Sequence, residues 1–204
     1  MKWNVPNILI IVRFFFAVIV ISLLLLIPIF PVDKYPSLYV NYANINVNIL
    51  NFVALFFFVI ATYTDYLDGH LARKNNQITS FGKIFDPLAD KILVNSVLII
   101  FTLFGRVPII FTIIFIIRDL LVDGLRISLA STGEVLSAQK LGKLKTMFQF
   151  FGLIILFVIF PSNGDMYYNW DINSLSIIVL FIGMVFSILS GIKYYQMNWN
   201  KIIK

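Results

Sequence analysis

Four aspartates in this chain are spaced for joint chemistry: Asp65 and Asp68 lie three apart, and Asp86 and Asp90 four apart. Residues at either spacing share one face of an α-helix, so two helices can point all four carboxylates at one spot. The surrounding runs read Thr64-Asp65-Tyr66-Leu67-Asp68-Gly69-His70-Leu71-Ala72-Arg73 and Phe81-Gly82-Lys83-Ile84-Phe85-Asp86-Pro87-Leu88-Ala89-Asp90-Lys91. Crowded carboxylates repel one another unless cations neutralise them, and at membrane depth each costs about 3 kcal/mol. The chain has no Cys and His70 is its only histidine, so the donors are hard oxygens, which suit magnesium, manganese or calcium. For any single Asp the plainer reading is a solvated loop residue paired with Arg73, Lys83 or Lys91. The full set adjoins apolar helices, and that favours a metal site. Gly69 and Gly82 either end or bend their helices or let a ligand approach the backbone closely.

A second group is basic. Arg118-Asp119-Leu120-Leu121-Val122-Asp123-Gly124-Leu125-Arg126 places two guanidinium groups eight residues apart, on nearly the same helical face, and Lys140-Leu141-Gly142-Lys143-Leu144-Lys145-Thr146 follows. Arginines inside an apolar helix need partners. Asp119 and Asp123 offer them locally. The functional alternative is an anion pocket in which Arg118, Arg126 and Lys143 hold the phosphate of a phosphorylated substrate.

The elements that must position these groups are membrane helices. Of 204 residues, 60% are hydrophobic and 13% charged, with a mean hydropathy of +0.92. A soluble domain cannot hide that much apolar surface, and a crossing needs about 20 helical residues. The sequence predicts six transmembrane helices at roughly 7 to 30, 48 to 66, 84 to 104, 107 to 129, 142 to 161 and 174 to 196. Pro28 and Pro31, Gly105 with Pro108, and Pro161-Ser162-Asn163-Gly164 supply the breaks. The expected fold class is an all-α integral membrane bundle forming a single domain over 1–204, without linker or internal repeat. The apolar run behind Lys2 lacks a small-residue cleavage site and is read as the first helix rather than a signal peptide.

The net charge of +6 does not point to nucleic acid, because the basic residues are spread between apolar runs. With both termini cytoplasmic, every Lys and Arg except Lys34 and Arg106 falls on the inner side, as the preference of positive charge for that side requires. The expected place is the cell membrane, multi-pass, with the site cytoplasmic and the segments at 31 to 47 and 162 to 173 as solvated outer loops.

The pattern Asp65-x2-Asp68-Gly69-x2-Ala72-Arg73-x8-Gly82-x3-Asp86-x3-Asp90 resembles the complete signature of the CDP-alcohol phosphotransferases. That resemblance implies the six-helix fold of the family along the chain. It implies that Asp65, Asp68, Asp86 and Asp90 hold two metal ions, Mg2+ or Mn2+, on the diphosphate of a CDP-linked lipid. Asp90 would also be the catalytic base for the acceptor hydroxyl. Gly69, Ala72 and Gly82 would make room for the cytidine, with Arg73 near its phosphates. Pro6-Asn7-x5-Arg13 is similar to a family segment that approaches the diphosphate, with Ile10 where a Thr is usual, so Asn7 is a further CDP contact or a helix N-cap. His70 is not required by the family and is expected to line the pocket or face solvent.

The runs Arg118-Asp119 to Gly124-Leu125-Arg126 and Leu141-Gly142-Lys143-Leu144-Lys145-Thr146 look like the branch of that family that joins CDP-diacylglycerol to sn-glycerol 3-phosphate, releasing CMP. Asp123 departs from that branch, where an uncharged residue is usual. Inositol phosphate, serine or another lipid alcohol is the alternative acceptor. A cation or proton transporter is disfavoured, because transport sites sit near the midplane, often between repeats, whereas these acids cluster at helix ends. The family often forms homodimers, so the implied partners are CDP-diacylglycerol, sn-glycerol 3-phosphate, membrane lipids and a second copy of the chain.

Overall fold

The computed structural model describes residues 5–30, 33–42, 45–74, 80–131, 140–159 and 170–202. Within them lie six α-helices: α1 (Val5–Leu26), α2 (Ile49–Lys74), α3 (Ser80–Leu103), α4 (Ile109–Ser131), α5 (Lys140–Ile159) and α6 (Trp170–Ile202). The segment expected as a solvated loop before α2 is instead an antiparallel hairpin, β1 (Tyr39–Tyr42) with β2 (Ile45–Asn48), in the register Tyr39 to Asn48 and Tyr42 to Ile45. Val47 and Asn48 are buried, and the Oδ1 of Asn48 accepts the Leu50 N–H at 2.8 Å, an N-cap that starts α2. The turn Pro161–Gly164 lies outside the described residues.

The main boundary difference is at the end of α2. Hydropathy fades near Tyr66, but the helix runs on to Lys74, because a change from apolar to polar side chains does not end backbone hydrogen bonding. Between α3 and α4, Gly105 has φ 68°, and the Phe104 N–H bonds to Ile100 O at 3.0 Å. This left-handed position after the last helical turn is one that glycine takes without a Cβ penalty.

Among the described residues, three helical stretches are long and apolar enough to cross a membrane, Ile8–Ile29, Lys140–Val158 and Leu175–Asn198, and Ile49–Thr64 is a shorter apolar stretch. α3 and α4 have the length, at 24 and 23 residues, but carry Asp86, Asp90 and Lys91, and Arg118, Asp119, Asp123 and Arg126. Their charge, not their length, separates them from the other three.

The chain divides into two compact units, one of Met1–Phe104 with Leu156–Tyr167 and one of Gly105–Ile155 with Tyr168–Lys204. In the first, α1 packs on α2 and α3. The buried face of α1 is the stripe Ile10, Arg13, Ala17, Val20 and Leu24, while Phe15 and Val18 on the outer side are exposed. Spacing by three and four is that of one helix face, and the exposed apolar face is what a lipid-facing helix presents. Phe157 packs against Phe58 and Phe101, with ring centroids 5.2 and 5.0 Å apart. Its carbonyl, one of the last four in α5 and so lacking a helical partner, accepts a hydrogen bond from Asn51 Nδ2.

In the second unit, α4, α5 and α6 meet through small and polar residues. A Cβ on Gly152 would stand 2.6 Å from Leu180 Cγ, and one on Gly183 would stand 3.2 Å from Phe148 Cβ. Ser176, Ser187 and Ser190 are buried along α6. Small residues at helix contacts are how membrane helices approach closely when burial of apolar area gives no drive.

Candidate active site

The acid signature is carried entirely on two consecutive helices. Asp65, Asp68, Gly69, Ala72 and Arg73 belong to the last turns of α2, and Gly82, Asp86 and Asp90 to the first turns of α3. The expected placement at one helix's end and the next one's start is therefore what the backbone adopts. The side chains of Asn7, Asp65, Asp68, Gly69, His70, Ala72, Arg73, Gly82 and Asp86 lie outside the described set. Asp90 is half-buried, and Ala89 beside it is fully buried against the rest of the first unit. On donor chemistry, an all-oxygen set at i, i+3 and i, i+4 on two helices fits a hard divalent cation.

The basic group is described in full. Arg118 and Arg126 come to the same place: their guanidinium carbons stand 5.9 and 5.8 Å from the centroid of the Tyr194 ring on α6. Arg126 Nη2 also donates to Tyr194 Oη at 3.3 Å. Eight residues along a helix bring two side chains back to nearly one face, and α6 supplies the surface on which they meet. Lys143 is exposed at the start of α5 and forms no ion pair with a described residue.

Sequence reasoning named Asp119 as a local partner but passed over Lys145. Asp119 is 6% exposed and Lys145 5% exposed, and Lys145 Nζ donates to both carboxylate oxygens of Asp119 at 2.8 Å. Arg118 Nη1 donates to Asp119 Oδ1 at 3.1 Å, and its Nη2 to Ser190 Oγ at 2.7 Å. Lys145 Nζ also lies 5.4 Å from the Phe115 ring centroid. Asp119 does partner Arg118, as the local reading allowed, but it is shared with a lysine from the next helix, and Arg126 turns to Tyr194. A usable signal was present: Lys145, Gln149, Gly152 and Leu153 recur at helical spacing and are all buried, so Lys145 lies on the inward face of α5.

Glycines frame Arg118. A Cβ on Gly142 would lie 3.5 Å from its Nη2, and one on Gly191 would lie 3.3 Å from its Cγ. A groove of about 750 Å³ opens between α4 and α6, lined by apolar side chains including Ile117, Leu121, Ile188 and Ile192, with Arg118 on its wall.

These observations define a helical membrane protein with an acidic oxygen-donor signature on two consecutive helices and a basic cluster built on the next three. The chain belongs to the CDP-alcohol phosphatidyltransferase family, whose model matches residues 3–189, and the family makes it a membrane phosphatidyltransferase enzyme that relies on divalent metal. It is 39% identical over 149 residues, 71% of this chain and 72% of the relative, to the CDP-diacylglycerol–glycerol-3-phosphate 3-phosphatidyltransferase of Bacillus subtilis (strain 168). A protein of the same name from Rickettsia typhi (strain ATCC VR-144 / Wilmington) is 39% identical over 139 residues, 68% of this chain and 76% of its own. One from Wigglesworthia glossinidia brevipalpis is 29% identical over 211 residues and aligns along the whole of both chains.

Proposed function

We propose that this protein transfers the phosphatidyl group of CDP-diacylglycerol to sn-glycerol 3-phosphate, giving phosphatidylglycerophosphate and CMP. The observation that carries the acceptor is the meeting of Arg118 and Arg126 at one tyrosine ring, a paired-guanidinium arrangement suited to a phosphate dianion. The names of the relatives support the same choice.

In this reading Asp65, Asp68, Asp86 and Asp90 hold two divalent cations, Mg2+ or Mn2+. Such ions, when bound, neutralise charge on the diphosphate oxygens and on the departing phosphate. The chain's own residues do the rest. Gly69, Ala72 and Gly82 leave room for the cytidine, while Arg73 and Asn7 contact its phosphates. Arg118, Arg126 and Lys143 hold the acceptor's phosphate so that its free hydroxyl is presented for reaction. Asp90 takes the proton from that hydroxyl, its oxygen bonds to the β-phosphorus, and the bond to CMP breaks. Positioning and charge neutralisation account for most of the catalysis of phosphoryl transfer, so residues that only hold the two phosphates contribute directly to rate.

The chain is proposed to cross the cell membrane six times as one catalytic domain over 1–204, with both termini and the site on the cytoplasmic side and a second copy as its partner. The distribution of Lys and Arg supports that orientation. The test is CMP release by purified protein with CDP-diacylglycerol and Mg2+, with and without sn-glycerol 3-phosphate, repeated in excess chelator. Release that needs both acceptor and metal is expected. Release supported by inositol phosphate or serine but not by glycerol 3-phosphate would refute the acceptor assignment and leave the acid site standing.

A further inference from the structure

The proposed acceptor site uses Arg118, Arg126 and Lys143, yet the most deeply buried charges beside it are Asp119 and Lys145. We propose that Asp119 and Lys145 are positioning residues: a buried clamp across α4 and α5 that fixes the Arg118 guanidinium for the phosphate of the acceptor while keeping the group cationic. This rests on the reading of Arg118 as a phosphate ligand.

Geometry supplies the first half of the argument. Arg118 Nη1 is held by Asp119 Oδ1 at 3.1 Å and Nη2 by Ser190 Oγ at 2.7 Å, and Ser190 Oγ in turn donates to Ser187 O at 3.0 Å. The guanidinium is therefore tied at two corners, while Arg118 Nε is buried without a partner. Gly142 and Gly191 close in on either side of the same side chain. A guanidinium held in one plane loses less freedom when it grips a phosphate, and its unused N–H groups keep the fork geometry that phosphate recognition uses.

Charge supplies the second half. Asp119 alone beside Arg118 would make a neutral pair and a poor receptor for an anion. Lys145 takes both oxygens of Asp119 at 2.8 Å, so the three side chains together carry one net positive charge. The arrangement thus separates two jobs: Asp119 orients the arginine, and Lys145 restores the charge that the orienting group cancels. Apolar residues of similar volume often match or better a buried pair in stability, so stability alone is a weak reason for this one.

The experiment measures KM for sn-glycerol 3-phosphate, KM for CDP-diacylglycerol, kcat and the thermal midpoint for Arg118→Ala, Asp119→Asn, Lys145→Met and the double variant Asp119→Asn/Lys145→Met. Arg118→Ala is expected to raise the glycerol 3-phosphate KM. Asp119→Asn and Lys145→Met are each expected to raise it on the order of tenfold, the loss of one well-placed charged contact, with the CDP-diacylglycerol KM unchanged. The double variant removes the buried lysine together with the carboxylate it pairs with, and leaves the less deeply buried Arg118 as the one positive charge. It is expected to recover most of the thermal midpoint lost in Asp119→Asn but not the glycerol 3-phosphate KM of the unaltered protein. Recovery of both in the double variant, or a wild-type KM in Asp119→Asn while Arg118→Ala raises it, overturns the clamp. An unchanged KM in Arg118→Ala overturns the acceptor reading beneath it. Should Asp119→Asn fail to fold, the double variant alone decides.

Discussion

Replacing Tyr194 with Leu should cost the enzyme its grip on the acceptor far more than its grip on the lipid donor. The Tyr194 side chain is 2% exposed, and both Arg118 and Arg126 lie over its ring at 5.9 and 5.8 Å. Those distances are near the outer limit of a useful cation–π contact, so each is taken at about 0.5–1 kcal/mol. Losing both removes about 1–2 kcal/mol, which corresponds to a rise of about 5- to 30-fold in KM for sn-glycerol 3-phosphate. Tyr194→Phe keeps the ring and loses the long 3.3 Å bond from Arg126, so a rise of about fivefold or less is expected there. The assay is CMP release against acceptor concentration at saturating CDP-diacylglycerol, with a thermal melt of each variant to set aside the cavity that Leu leaves. A folded Tyr194→Leu enzyme with an unchanged glycerol 3-phosphate KM would refute the idea that the two arginines act as a pair on that ring.

Other perturbations probe other parts. Asp90→Asn should lower CMP release by at least about 100-fold, the usual worth of a positioned base, with an unchanged thermal midpoint; activity within tenfold of the parent would remove Asp90 from that role. Gly152→Ala forces a Cβ to 2.6 Å from Leu180 Cγ and should destabilise by about 1–3 kcal/mol, with Leu180→Ala restoring much of the loss in the double variant. Gly105→Ala places a Cβ at φ 68° and should cost about 1 kcal/mol in a denaturation experiment without altering KM for either substrate; a neutral result would mean that the link between α3 and α4 relaxes freely.

The helices were legible because apolar runs, proline breaks and charge bias are local properties, and the acids because i, i+3 and i, i+4 spacings survive in any helix. Asp65 and Asp68 on α2 and Asp86 and Asp90 on α3 needed no tertiary information. The hairpin before α2 was hidden because Asn41, Asn46 and Asn48 disguise its strands as a polar loop. Partner choice among charges was hidden for a different reason. Asp119, Asp123 and two arginines on one helix allow several pairings, and what selects Arg118–Asp119–Lys145 is a lysine from α5, one helix and an intervening segment further on. Tyr194 was equally out of reach, because only the packing of α6 on α4 brings it under residues 68 and 76 positions earlier.

In the proposed six-span arrangement, that pairing bears on how α4 would sit in a membrane. Inserted alone, α4 would carry Arg118, Asp119, Asp123 and Arg126 within one turn or two of each other, at about 3 kcal/mol for each charge near the bilayer centre. Docked, Asp119 and Lys145 satisfy each other, Arg118 is bonded by Asp119 and Ser190, and Arg126 rests on Tyr194. In that arrangement the stability of α4 in the bilayer would be borrowed from α5 and α6, and the glycines and serines of those helices are what let them come near enough to lend it. The same closeness that neutralises the charges holds the arginines in place, so under the proposed function insertion and phosphate binding in this unit would depend on one set of contacts.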